Sequence, residues 1–207
     1  MKTLRKILND NGSDKSKKHL YDFIYESYLA PLREEPITFL EVGIFRGESI
    51  KAWLEYFPKA SVHGIDLFDR IKPEDVEILK DKRVHWIESD STDKNLPNLI
   101  KEQWGDIKFD VIIDDGLHTP EANEKTFLNL IGFLKADGIY FIEDVFPLQI
   151  MTNKELQHSW LKTHPNDFTK EKMLSLLKTL SAYDTVWHDN RKFSKQPDSV
   201  IVRVKKK

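Results

Sequence analysis

The 207 residues contain no cysteine. That absence excludes a disulfide framework, a Cys zinc site, a thiol nucleophile and a Cys-ligated iron–sulfur cluster. No apolar run approaches the length of a membrane span. The opening MKTLRKILNDNGSDK lacks an apolar signal core, so a cytoplasmic protein is expected. Neither sign of charge dominates: 32 Lys and Arg stand against 34 Asp and Glu, a net −2. A near-neutral chain offers no broad electrostatic case for nucleic acid. What is present, 40% hydrophobic and 32% charged residues, reads as globular. The length suits one domain over residues 1–207, large enough to bury a core.

Hydrophobic spacing divides the chain. Leu4, Ile7 and Leu8 share one helical face, as do Leu20, Phe23 and Ile24; the turn-rich Asn11-Gly12-Ser13-Asp14 separates them. Pro31 and Pro36 fence this helical segment, 1–35, from a core over 36–207. From there strands and helices alternate. Strands are expected at 37–42, 61–66, 84–87, 109–113 and 139–142, the last following an Asp137-Gly138 turn. Helices are expected around Ile50–Phe57, near 72–80, at 96–104 and from Pro120, which Thr119 caps. A late helix carries Met173, Leu176, Leu177 and Leu180, and two strands at 183–187 and 199–204 suit an antiparallel pair. The stretch 145–168 is long for a connection; its Phe146, His158, Trp160 and His164 could cap an acceptor or belong to a surface helix near 154–161. The alternation implies a parallel sheet covered on both faces. Ligands bind such sheets beyond the carboxyl ends of the strands.

The strand ends carry the chemistry. Glu41-Val42-Gly43-Ile44-Phe45-Arg46-Gly47-Glu48-Ser49 follows the first strand, with glycines four apart. The dinucleotide fingerprint needs glycine at offsets 0, 2 and 5, and Phe45 and Glu48 break it. The E-x-G-x-x-x-G spacing instead resembles the first motif of S-adenosylmethionine methyltransferases, though a tight turn without a ligand has the same form. Asp66 ends the second strand, where a carboxylate can accept from ribose hydroxyls or merely cap a loop. Asp90 and Ser91 follow the third strand, near where an adenine would lie, or form a plain polar turn. The fourth strand ends Asp114-Asp115-Gly116-Leu117-His118 and the fifth Glu143-Asp144. Four acids at one end of a sheet repel unless a positive charge sits among them. A magnesium ion, which takes carboxylates, water and substrate oxygens, would answer that; helix capping is the other reading. His118, three residues past Asp115, can serve as a general base.

Together these residues resemble the metal-dependent O-methyltransferases that act on sugars, of the mycinamicin type. That family has D-D-G-S-H after the fourth strand and E-D after the fifth; here Leu117 replaces the small polar residue. Its G-T-D-K…H-x-Y…Y segment corresponds to Gly12-Ser13-Asp14-Lys15, His19-Leu20-Tyr21 and Tyr25. The resemblance covers roughly residues 10–145. It implies a Rossmann-like seven-stranded, mostly parallel sheet with an antiparallel C-terminal strand. It implies S-adenosylmethionine held around Glu41, Gly43, Gly47, Ser49, Asp66, Asp90, Ser91 and Asp114, and Mg2+ (or Mn2+) held by Asp115, Glu143 and Asp144. His118 would be the base, and Asp14, Lys15, His19, Tyr21 and Tyr25 would line the acceptor or its lid. The implied acceptor is a sugar, nucleotide sugar or glycan with vicinal hydroxyls. The large N-terminal domain of the macrolide enzyme has no counterpart in these residues, so a homo-oligomer is left open. Three rivals stand beside this reading: a catechol-type O-methyltransferase, an NAD-dependent oxidoreductase, and a non-catalytic S-adenosylmethionine-binding module.

Overall fold

The computed structural model describes all 207 residues. Strands β1 (Thr38–Val42), β2 (Ser61–Asp66), β3 (Val84–Glu88), β4 (Phe109–Asp114), β5 (Leu134–Ile142), β6 (Asp184–Asp189) and β7 (Val200–Lys205) form one sheet. Its order is β3-β2-β1-β4-β5-β7-β6. The first five strands run parallel, and β7 is antiparallel to both β5 and β6. The strand order reverses between β1 and β4, where a crevice opens at their carboxyl ends.

The helices are α1 (Leu4–Asp10), α2 (Asp14–Lys17), α3 (Asp22–Leu29), α4 (Glu48–Tyr56), α5 (Leu96–Trp104), α6 (Pro120–Leu130), α7 (Ser159–Thr163), α8 (Lys170–Leu180) and α9 (Arg191–Ser194). Successive strand side chains point to opposite faces. Phe39, Val111, Ile113 and Phe141 therefore bury one way, against Leu4, Ile24 and Trp53 of α1, α3 and α4. Leu40, Ile112, Tyr140 and Ile142 bury the other way, against Ile100, Phe127 and Leu176 of α5, α6 and α8. The first layer explains the N-terminal segment: its helices cover half of the sheet and stand over the strand ends.

Five expectations change. The helix expected near 72–80 is two 3-10 turns, Pro73–Asp75 and Glu77–Lys80, split at Val76. Val76 is extended there and buried, and it packs with Ile78 against Gly47. Strand β5 begins at Leu134, five residues earlier than expected, and takes Asp137-Gly138 into its length. The register against β4 shifts between Phe109 and Val111 to accommodate them. Part of the expected N-terminal break is helix α2, capped by the Ser13 hydroxyl, which accepts from the Lys15 amide. Leu20 lies outside α3, at φ 58. Near 154–161 there is a 3-10 turn, Glu155–Gln157, followed by α7.

His63 of β2 is buried, stacked on His85 with ring centroids 4.8 Å apart and edge-on to Trp104 at 4.7 Å. Burial, and then the His85 charge, push its pKa down to about 4. The unfolded chain binds that proton near pH 6.5 and the folded one does not, so stability falls as pH drops from 6.5 toward 4. Chemical denaturation across that window should show His63 contributing about 2–3 kcal/mol of acid lability, and His63→Phe should flatten the slope. An unchanged slope would place the acid-sensitive group elsewhere.

Candidate active site

A cavity of about 590 Å3 lies at the carboxyl ends of β1, β2, β3, β4 and β5. Its first half is built from backbone turns. Gly43 has φ 88, and a Cβ there would strike the Asp115 carbonyl, so the turns after β1 and β4 lie against each other. Gly47, at φ 75, opens α4. Asp66 organises the β1 turn: its Oδ2 accepts from the amides of Ile44 (2.7 Å) and Phe45 (2.9 Å), and its Oδ1 from Phe68 (2.6 Å). Asp90 Oδ1 accepts from the Thr92 amide and hydroxyl, and Ser91 pairs with Thr126 at 2.8 Å. Gly43, Asp66, Asp90 and Ser91 line the cavity, whereas Glu41, Gly47, Ser49 and Asp114 do not. Glu41 is buried and accepts from the Ser49 hydroxyl at 2.8 Å. Asp114 is buried with Oδ2 unpartnered, and burial pushes its pKa up to about 8. These four shape the turns from behind.

The second half carries the titratable groups. His118 and Asp144 both adopt left-handed backbone, at φ 60 and φ 53. Such strain in residues with a Cβ costs on the order of 1–3 kcal/mol and clusters at functional sites. The ligand atoms of Asp115, His118 and Asp144 lie within 4.8 Å of one another, with His118 Nε2 3.6 Å from Asp115 Oδ1. All three line the cavity. Glu143, expected beside them as a ligand, points beneath. Its Oε1 accepts from Lys15 Nζ at 2.8 Å and from the Tyr25 hydroxyl.

Lys15 itself is buried, with Nζ 2.5 Å from Asp115 Oδ2 and 3.3 Å from Glu41 Oε1. Burial opposes its charge, but Asp115, Glu143 and Glu41 outweigh burial and hold the ammonium well above its usual pKa. Tyr21 donates to Asp144 Oδ1 at 2.8 Å. His19 Nδ1 stands 3.1 Å from the same oxygen and 2.9 Å from Ser199 Oγ. Lys15, His19, Tyr21 and Tyr25, expected to line the acceptor or its lid, are therefore buried supports of the carboxylates; Asp14 alone of that set lines the cavity. Sequence reasoning missed Asp198, which lines the cavity from the loop before β7. Gln196-Pro197-Asp198-Ser199 matches no motif, and only its place ahead of a strand marked it.

The charges fit a divalent cation. Burial first, and then Asp115, push the carboxyls of Glu143 and Asp144 well above the ordinary range. Lys15 is one positive charge among Glu41, Asp115, Glu143 and Asp144. Asp115 and Asp144 present oxygens to the cavity, a hard donor set that suits magnesium or manganese.

No family model matches the chain. It is 30% identical over 142 residues to a rhamnosyl-tetracenomycin-C 2'-O-methyltransferase of Streptomyces olivaceus, a match covering 65% of this chain and 35% of that protein. It is 25% identical over 135 residues to the mycinamicin VI 2''-O-methyltransferase of Micromonospora griseorubida, covering 62% and 32%. The chain spans about a third of the length of these curated relatives. Among solved structures it resembles the MycE methyltransferase of the mycinamycin pathway, which was solved with Mg and SAH. That match has a TM-score of 0.72 at 20% identity and covers 99% of this chain and 55% of that one. It also resembles the SAH-bound Podospora anserina methyltransferase PaMTH1, with a TM-score of 0.64 at 17% identity, covering 100% and 88%. The chain has the Rossmann-like methyltransferase fold. Within this fold, the turn organised by Asp66 and the Asp115–His118–Asp144 group open onto one cavity.

Lys15→Met would leave Glu41, Asp115 and Glu143 without their buried cation. The expected loss is about 3–5 kcal/mol, read by chemical denaturation at pH 7. A loss below 1 kcal/mol would mean that the carboxyls neutralise themselves by taking up protons.

Proposed function

We propose that the protein is an S-adenosylmethionine-dependent and divalent-metal-dependent O-methyltransferase that acts on a sugar or glycan hydroxyl with a vicinal neighbour. The observation that carries this reading is the convergence of Asp115, His118 and Asp144 on the cavity that the Gly43 and Asp66 turn also lines. The named activities of the curated relatives, sugar O-methylations, support it.

The donor supplies an activated methyl group, so the chain's own work is orientation and proton removal. The Gly43 turn would bring backbone close to the donor, and Asp66 locks that turn through the amides of Ile44 and Phe45. Asp115 and Asp144 would hold the metal; Glu143, whose Oε1 is committed to Lys15 and Tyr25, would reach it only through Oε2. When bound, the metal lowers the pKa of an acceptor hydroxyl. His118 has its pKa lowered by burial, against the opposing pull of Asp115 and Asp198. The neutral ring is ready to take the hydroxyl proton at Nε2. A lysine base of the catechol-enzyme kind is disfavoured, because Lys15, which touches Asp115, is held charged.

His118→Ala should leave S-adenosylhomocysteine binding nearly intact and slow transfer by about 10²–10⁴-fold; normal turnover would remove the base assignment. Asp115→Asn should abolish the magnesium response in calorimetry together with activity. An intact response would take Asp115 off the ligand set. The reading as a whole is tested by titrating S-adenosylhomocysteine into the protein with and without Mg2+, against an NAD+ control. Binding of S-adenosylhomocysteine alone is expected, and binding of NAD+ instead would overturn the proposal.

A further inference from the structure

Asp198 lies in the loop between α9 and β7. The site as described gives it no task. Its side chain is only 16% exposed and lines the cavity with His118 and Asp144. Its Oδ1 is buried without a hydrogen-bond partner. That oxygen is sealed off, but the remaining exposure of the side chain opens onto the cavity, so the carboxylate presents an acceptor that an arriving ligand can meet.

Two bland explanations fail on geometry. Asp198 is outside the group of three whose ligand atoms lie within 4.8 Å of one another, which sets it apart from Asp115, His118 and Asp144. Its nearest recorded cationic candidate is His19 Nδ1 at 3.9 Å, beyond hydrogen-bond range. That nitrogen already faces Ser199 Oγ at 2.9 Å and Asp144 Oδ1 at 3.1 Å. The position is nonetheless held firmly. The Tyr21 hydroxyl bridges Asp144 Oδ1 and the Asp198 carbonyl (3.4 Å), and Asn190 donates to the carbonyls of His19 (3.3 Å) and Leu20 (2.9 Å). The same cavity is lined by the rings of Phe146 and Trp160. Aromatic faces and a carboxylate acceptor together suit a ring that is apolar on its C–H face and rich in hydroxyls at its edge.

We propose that Asp198 accepts a hydrogen bond from a third hydroxyl of the acceptor, outside the vicinal pair that reaches Asp115 and His118, and so selects a sugar ring over a planar catechol. The proposal rests on the O-methyltransferase reading. A catechol has two hydroxyls and nothing to offer Asp198, and a site that buries a hydrogen-bonding group discriminates strongly against a ligand that leaves it unpaired.

The test uses the full chain with Mg2+ and S-adenosylmethionine, and compares Asp198→Ala and the isosteric Asp198→Asn with the wild type. Acceptors are methyl α-L-rhamnoside, its monodeoxy analogues and catechol. Asp198→Ala should raise KM for the rhamnoside roughly 10–100-fold with kcat within a few-fold. Its KM for one particular deoxy analogue should match the wild type's, because the cycle then has no interaction left to lose. S-adenosylhomocysteine affinity and Mn2+ affinity, read by calorimetry and electron paramagnetic resonance, should not move. Asp198→Asn, which keeps an acceptor oxygen, should lose less than Asp198→Ala. An unchanged KM in a folded Asp198→Ala protein would overturn the proposal while leaving the methyltransferase reading intact. So would a loss confined to Mn2+ binding. A wild type that methylates catechol but no rhamnoside, or neither, would overturn both the sugar reading and the role of Asp198.

Discussion

The rest of the site depends on one buried ammonium among three carboxylates. Lys15 Nζ touches Glu41 from β1, Asp115 from the turn after β4 and Glu143 from the turn after β5. An isolated charge of either sign would be costly in that interior. Together they hold the ends of three strands against a helix from the opposite end of the chain. The N-terminal segment is thus part of the site's foundation as well as a cover for the sheet.

That foundation sets a division of labour among the acids. Glu41 and Glu143, 0% and 2% exposed, face inward to Lys15 and to the hydroxyls of Ser49 and Tyr25. Asp115 and Asp144 face the cavity with His118. His118 and Asp144 both take left-handed backbone just past their strands, and both line the cavity. Tyr21 and His19 fix Asp144 from below, so its cavity-facing carboxylate is held in place.

Much of this was legible in the sequence because its signals are local. The five residues Asp114 to His118 follow an apolar strand directly, as Glu143-Asp144 do, and parallel neighbours must bring such ends together. The glycine spacing after β1 and the Thr119-Pro120 helix start are equally short-range. What was not legible depends on distant partners. Lys15 meets Asp115 and Glu143 across separations of 100 and 128 residues, and no spacing rule tells which acid will turn inward to it. Tyr21 and Tyr25 read, by the resemblance, as lining the acceptor or as packing the N-terminal helix on the sheet; their hydroxyls reach Asp144 and Glu143 from beneath. Asp198 depends on where β7 is inserted, between β5 and β6, which periodicity does not encode. The 3-10 turns at 73–80 arise because Val76 and Ile78 must reach Gly47, a tertiary demand that overrides helical spacing.

The insertion of β7 between β5 and β6 has a consequence for how the molecule comes into being. On a ribosome the chain emerges from its amino end, so Lys15 and Tyr21 appear first and wait for the acids. His19, which faces Asp144, gains its Ser199 partner only when the last strand arrives, and β5 lacks its outer neighbour until β7 follows. A partly synthesised chain can form the Gly43 turn but not the completed sheet edge beside β5. Contacts this distant in sequence also slow folding, because long loops must close before they are rewarded. The sheet is therefore completed late, and an interrupted chain carries an exposed edge at β5.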